Sequence, residues 1–440
     1  MNESEVRRRL DNRGWGPFFN KLWVASGLGW MADAMNVAAL GLVLPLILTD
    51  LDITRAEGGV IVSSTFAGFI VGAIVTGKLS DMFGRRTLLI ANIVLFSAAA
   101  VLVGFSHDFW TILVLRFIQG IGMGGEFPII STYINEVSPK RYRDRLIGLT
   151  SAFFSYAFAL IPLIGLFVVP VLGWRGLFWS LIIPVFFAIW ARRSLPESPM
   201  FLARKGNTAG TEAALKIIEN GSIEKIDDTS SVNNAQTEPT GGDLFTGRTA
   251  LLMVFWILMF LCQYGFASWI PTAIAQANGG VSASSSYGLT SILFTGMIAG
   301  YLIASFGTGK LSPKLFLTLS FLEYGISLIC FGLSTDMVPM LIFGWLAAAG
   351  YGFTTISAYS YTPNQFKTAI RGTGMGLVTG IGRIGAVAGP MIVGLISPVG
   401  SLGMSFVVFG IASLAAVIVV QILERSSKKY GMQKVASSLH

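Results

Sequence analysis

Five ionisable residues stand inside long apolar stretches of this 440-residue sequence: Asp33, Arg116, Glu126, Glu323 and Arg383. A charge at the centre of a spanning helix costs about 2.5–3.5 kcal/mol on translocon-type scales, so each needs a partner, a wet cavity or a neutralising proton. A buried carboxylate whose protonation answers to a nearby cation or bound anion can couple a proton to a second ligand, and that is the chemistry open to Asp33 and Glu126. A guanidinium keeps its charge and presents a planar fork to two oxygens, which makes Arg383 a candidate contact for a substrate carboxylate. Quieter readings exist for each. Asp33 can be a structural carboxylate bonded to a neighbouring helix, Glu126 a ligand of backbone in its glycine-rich segment, and Arg383 the partner of a buried acid. Arg116 can be structural or take part in coupling.

These residues need elements to hold them. The chain is 53% hydrophobic and only 12% charged, about half the charged share of a soluble protein, and its apolar residues come in runs of about twenty. Hydrocarbon offers backbone N–H and C=O groups no partner, so runs of that length must be helices. They fall near residues 22–48, 57–78, 87–105, 109–136, 146–171, 175–193, 248–275, 285–306, 314–334, 337–361, 373–397 and 401–423. The expected fold is an all-α membrane protein with twelve transmembrane helices in two pseudo-symmetric six-helix bundles, 22–193 and 248–423. A cytoplasmic N-terminal tail covers 1–21, a polar, flexible cytoplasmic linker 194–247 and a cytoplasmic C-terminal tail 424–440. An even number of spans puts both termini on one side, and 27 of the 31 Lys and Arg lie in the termini and even-numbered connections, which makes that side the cytoplasm. At about 1.5 Å per residue, Asp33 lies about 17 Å into the first span and Arg383 about 18 Å beyond Arg371, both near mid-membrane. An offset of 228 residues aligns Tyr133 with Tyr361, Glu136 with Asn364 and Arg143 with Arg371. Paired halves of this kind suit alternating access, one half rocking against the other around a midplane site.

Composition also excludes functions. The formal charge of +8 is accounted for by the cytoplasmic loops, so nucleic acid is not expected. Cys262 and Cys330 sit in apolar runs, and His107 and His440 stand alone, so no metal site, cofactor or disulfide framework is read. Gly122, Gly124 and Gly125 follow no strand, which argues against a nucleotide-binding enzyme. Polar and aromatic residues on the presumed lining helices, Asn36, Tyr156, Gln263, Tyr264, Trp269, Tyr351 and Tyr359, are candidate substrate contacts and would suit a planar ring.

Between the second and third spans the chain reads Gly77-Lys78-Leu79-Ser80-Asp81-Met82-Phe83-Gly84-Arg85-Arg86. Gly77 and Gly84 permit close approach and a tight turn, Asp81 can accept from a helix N-terminus, and the two arginines can bind carboxylates or helix C-termini. The fourth span carries Arg116, Gly120, Gly122, Gly124, Gly125, Glu126 and Pro128, then Glu136, Pro139 and Arg143, and Pro196-Glu197-Ser198-Pro199 follows the sixth. The second half has Pro363-Asn364, Arg371-Gly372-Thr373-Gly374 and Gly382-Arg383-Ile384-Gly385. Together these closely resemble the major facilitator superfamily, in the branch of aromatic-acid/proton symporters, niacin transporters, sugar porters and organic-ion carriers. The resemblance implies a cytoplasmic gate, carried here by Gly77, Asp81, Gly84, Arg85, Arg86, Glu136, Arg143 and Arg371, with Gly307-Thr308-Gly309-Lys310 as a degenerate counterpart. It also implies a peripheral place for Glu323.

The expected function is secondary active transport in the cell membrane by a monomer, as proton-coupled symport of a small organic anion. A sugar porter, a cation or drug/proton antiporter and a non-transporting receptor or scaffold are the alternatives.

Overall fold

The computed structural model describes residues 2–221, 246–276, 283–307, 311–366, 370–396 and 401–429. Nearly all of these are helical. The helices are α1 (Glu3–Asp11), α2 (Pro17–Asp50), α3 (Arg55–Phe83), α4 (Arg85–Val103), α5 (Phe109–Gly124), α6 (Glu126–Val137), α7 (Arg143–Ser180), α8 (Ile182–Arg193), α9 (Pro199–Arg204) and α10 (Thr208–Asn220). The second half holds α11 (Gly247–Gln276), α12 (Ala283–Gly307), α13 (Pro313–Leu333), α14 (Met337–Tyr361), α15 (Arg371–Ile396) and α16 (Leu402–Lys429).

Eleven stretches among the described residues are long and apolar enough to cross a membrane. One of them, Lys140–Trp190, is 51 residues long. That is about 75 Å of helix against a hydrocarbon core of about 30 Å. It is broken at Gly173, whose φ of 66° and ψ of −173° no helix accommodates, between the fifth and sixth spans expected from the sequence. α5 and α6 form one membrane-length stretch, Phe109–Val137.

Of the polar segment expected as a flexible linker, residues 222–245 lie outside the described residues, and the part nearest α8 is ordered. Residues 199–204 and 208–220 are helical. Ser198 and Asn207 cap them, accepting from the N–H groups of Phe201 and Gly210. The N-terminal tail also carries structure. α1 buries Val6 and Leu10, one turn apart, in a cluster with Ile134, Val137, Leu215 and Ile218.

The chain divides into two compact units, one of residues 1–40 and 64–234, the other of residues 41–63 and 235–440. Within each, close helix contacts rest on small residues, as lipid-embedded packing requires. A Cβ on Gly68 or Gly72 of α3 would overlap the carbonyls of Phe117 and Ile121 in α5, and one on Gly124 would overlap that of Phe69. In the second unit, Gly296 and Gly300 of α12 meet the carbonyls of Trp345 and Ala349 in α14, and Gly352 meets that of Met297. Every pair in the second set stands 228 residues after its counterpart in the first.

Candidate functional site

The buried ions of the first unit are all engaged. Asp33, on α2, is completely buried. One turn on, Asn36 donates to the Ala32 carbonyl at 2.8 Å and its side-chain oxygen accepts from Gln119 at 2.6 Å. Arg116 donates to Thr65 Oγ1 at 3.0 Å and Gln119 Oε1 at 2.6 Å, and two of its nitrogens face the Asn36 carbonyl at 3.4 and 3.5 Å. Its cation also lies 6.0 Å from the centre of the Phe178 ring. Asn36, expected as a substrate contact, is therefore tied into this network. Gln119 and Thr65 were not read from the sequence, although Gln119 lies one helical turn from Arg116, within side-chain reach.

Glu126 is held by a side chain that is not among the five ions singled out from the sequence. Arg192, near the end of α8, is 2% exposed and clasps both Glu126 oxygens, Nη1 to Oε2 at 3.2 Å and Nη2 to Oε1. Gly29 of α2 lies directly against the pair, since a Cβ there would overlap Arg192 Nη2. Glu126 is thus an ion-pair partner rather than a backbone ligand.

The loop between α3 and α4 is bound to its surroundings by charge. Gly84 has φ of 98°, a conformation that favours glycine, and a Cβ there would strike Glu197. Glu197 Oε1 accepts from the backbone N–H groups of Arg85 at 3.0 Å and Arg86 at 3.1 Å, the free donors at the start of α4. The Arg85 side chain is 3% exposed and pairs with Asp81 at 2.6 Å and Glu136 at 2.9 Å. Arg86 donates to the Arg193 carbonyl at 2.7 Å, and Tyr133 to that of Pro196 at 2.6 Å. Nothing lies within 4 Å of a Cβ on Gly77, so no close approach requires glycine there. Among the described residues, Arg143 reaches the Ser138 carbonyl, at 3.4 Å. The Arg371 side chain and residues 308–310 lie outside the described residues. Glu197 was legible as part of its motif but not as the cap of α4.

In the second unit Arg383 lies half-buried on α15, within electrostatic reach of the Tyr359 hydroxyl. α15 rests on α11 where Gly382 meets Trp256 and Gly385 the Ile257 carbonyl. Tyr359 packs edge-on to Trp256 with centroids 4.9 Å apart. Tyr264, Tyr301, Tyr351 and Tyr359 are near enough to feel one another electrostatically, and Tyr301 hydrogen-bonds Thr355. Tyr301 and Thr355 come from different helices, α12 and α14, and no local pattern marks them. Gln263 donates to the Tyr351 carbonyl at 3.2 Å and to Thr354 and Thr355 at 3.0 Å each, so its amide nitrogen is occupied. Trp269 is fully buried and donates to the Pro390 carbonyl at 3.1 Å, a packing role. Tyr156, on α7 of the first unit, is 42% exposed and stacks edge-on to Phe153. Glu323 accepts from Ser327 at 3.2 Å and abuts Gly350. No group of metal-ligand residues occurs among the described residues.

Comparison with known proteins agrees with this architecture. The niacin transporter NiaP of Acinetobacter baylyi is 28% identical over 439 residues, 97% of this chain and 98% of that protein. The gallate transporter of Pseudomonas putida is 26% identical over 432 residues, 94% of each chain. The partially occluded, inward-open xylose transporter XylE from E. coli shares the fold, with a TM-score of 0.74 at 16% identity over 92% of this chain and 99% of that one. The Major Facilitator Superfamily model matches residues 26–311 and 284–435, and with helices, signature loop and relatives in agreement, this chain belongs to that superfamily of transporters and is not an enzyme.

Proposed function

We propose that this transporter carries a small organic anion, an aromatic or other carboxylate, together with a proton by alternating access. Twelve spans with both termini in the cytoplasm of the cell belong to the same reading. Arg383 carries the proposal: a half-buried guanidinium on an apolar helix, within electrostatic reach of the Tyr359 phenol, which is itself within reach of further tyrosines that would suit a planar ring. The names of the relatives, niacin and gallate transporters, point to the same class of solute. Asp33 is the coupling residue. Protonating Glu126 would leave the Arg192 cation buried without its counter-ion, so that pair is a poor place to load and release a proton. The cation/proton antiporter reading weakens for the same reason, because Glu126 already has its cation.

The test is binding of nicotinate and benzoate to purified, monodisperse Arg383→Lys and Arg383→Ala proteins. Lysine keeps the charge and loses the fork, so affinity should fall roughly five- to 150-fold, corresponding to about 1–3 kcal/mol, and alanine should lose more. Wild-type affinity in the alanine protein would remove the anion assignment. The sugar reading would then lead.

A further inference from the structure

The charge cluster at the signature loop does not end at Glu136. The other Glu136 oxygen lies 3.8 Å from Arg204 at the end of α9, and Arg204 in turn pairs with Glu3 of α1 at 2.9 Å. An alternating chain of charges, Asp81, Arg85, Glu136, Arg204 and Glu3, therefore joins the loop to the N-terminal helix. α1 is only nine residues long, too short to be stable alone, so its order comes from docking. Its apolar face is buried through Val6 and Leu10. On its polar face Arg9 binds Glu212 at 2.7 Å and Glu219 at 2.8 Å of α10, and Arg7 donates to the Asn135 carbonyl at 2.9 Å. Asp11 accepts from the Lys140 N–H at 2.9 Å, and past α1 Arg13 adds a second cation to Glu219 at 2.8 Å. The helix thus touches α6, the α6–α7 turn, α9 and α10 together.

We propose that α1 is a working part of the cytoplasmic gate, with Glu3 and Arg204 as positioning residues that hold Glu136 against Arg85. The inference rests on the gate reading of Asp81 and Arg85. Glu136 has two oxygens and two cations, so withdrawing Arg204 frees it to shift, and the Asp81–Arg85 pair shifts with it. Because Arg204 and Glu3 are 47% and 44% exposed, their pair is weak alone and screened by salt. It acts as a bias on the conformational balance rather than a lock.

The experiment uses full-length protein with Cys262→Ala, Cys330→Ala and Gly376→Cys on α15, where the new side chain meets nothing within 4 Å. Maleimide labelling rates are compared for this background, Asp81→Asn, Glu3→Gln and Leu10→Asp. Glu3→Gln should speed labelling roughly two- to fivefold, the range for one half-exposed pair, and high salt should erase its difference from the background. Leu10→Asp, which undocks the helix without touching a charged partner, should do at least as much. If Leu10→Asp does not purify, Glu3→Gln decides. Acceleration by Asp81→Asn with none by Glu3→Gln overturns the proposal and leaves the gate reading intact. No change in any variant overturns both.

Discussion

Asp33 and the Glu126–Arg192 pair are buried acids on neighbouring helices with different expected duties. A clasped pair is a stable arrangement only while both members are present: removing one leaves an uncompensated ion, at a cost of about 3–5 kcal/mol, whereas replacing both by apolar groups can be nearly neutral. Glu126→Gln should therefore lower the thermal unfolding temperature of purified protein markedly, and Glu126→Leu with Arg192→Met should recover much of the loss. A double variant no more stable than the single would show that the pair is not what holds α6 to α8. Asp33→Asn keeps shape and cannot carry a proton. Under the coupling proposal it should abolish uphill accumulation while leaving downhill exchange of substrate. Accumulation at the wild-type level in vesicles with an imposed proton gradient would clear Asp33 of that duty.

At the scale of elements, the N-terminal helix and α10 behave as one docked surface, and their charges make it sensitive to acid. The Arg9 hydrogen bond holds Glu212 below its ordinary value of 4.5. Burial pulls Glu219 upward, but hydrogen bonds and charge from Arg9 and Arg13 outweigh it and leave it lowered as well. A depressed folded-state value means the docking is fully supported above the unfolded value and lost as pH falls through the folded one. Protease resistance of the first dozen residues should thus hold at neutral pH and decline below about pH 4.5, the ordinary value for both glutamates. In Glu212→Gln with Glu219→Gln it should be weaker at neutral pH and vary less with acid. An acid profile identical to wild type in that double variant would place the sensitivity elsewhere.

For the whole molecule, the two units repeat their helix contacts at one offset while differing in their ions. A Cβ on Gly72 or Gly300 would be driven into a backbone carbonyl, and a carbonyl cannot swing aside as a flexible side chain can. Gly72→Ala and Gly300→Ala should each cost stability on the order of 1–3 kcal/mol, as overpacking does, while Gly77→Ala, facing open space, should stay within about 0.5 kcal/mol. Equal melting temperatures for all three proteins would contradict the packing account. The repeat extends to Tyr133 and Tyr361, whose hydroxyls reach Pro196 and Glu424, positions again 228 residues apart. It does not extend to charge. At the same offset Asp33, Glu126, Arg116 and Arg192 meet Leu261, Thr354, Gly344 and Val420, and Arg383 corresponds to Ser155. That asymmetry fits the proposed division of labour, with the proton handled in the first unit and the anion in the second.

The amino-acid sequence alone dictates the lipid-embedded helical class, because runs of about twenty apolar residues leave backbone groups no other way to be satisfied. It also marked the signature loop, since a turn and clustered cations leave a local pattern, and Gly84 proved to need its positive φ. The break between the fifth and sixth spans was legible only as the interval between residues 171 and 175, in which the Gly173 kink falls. Which buried ions meet is set by the packing of helices distant in sequence. Arg192 and Glu126 lie 66 residues apart, and whether a cation at a helix end points into the bundle or to water depends on packing, not on spacing. Asn36 and Gln263 looked available because polarity is visible in a sequence and hydrogen-bond occupancy is not. The helices of the linker and tail were hidden in polar composition, since each is short and is held by burial and charge supplied by the other.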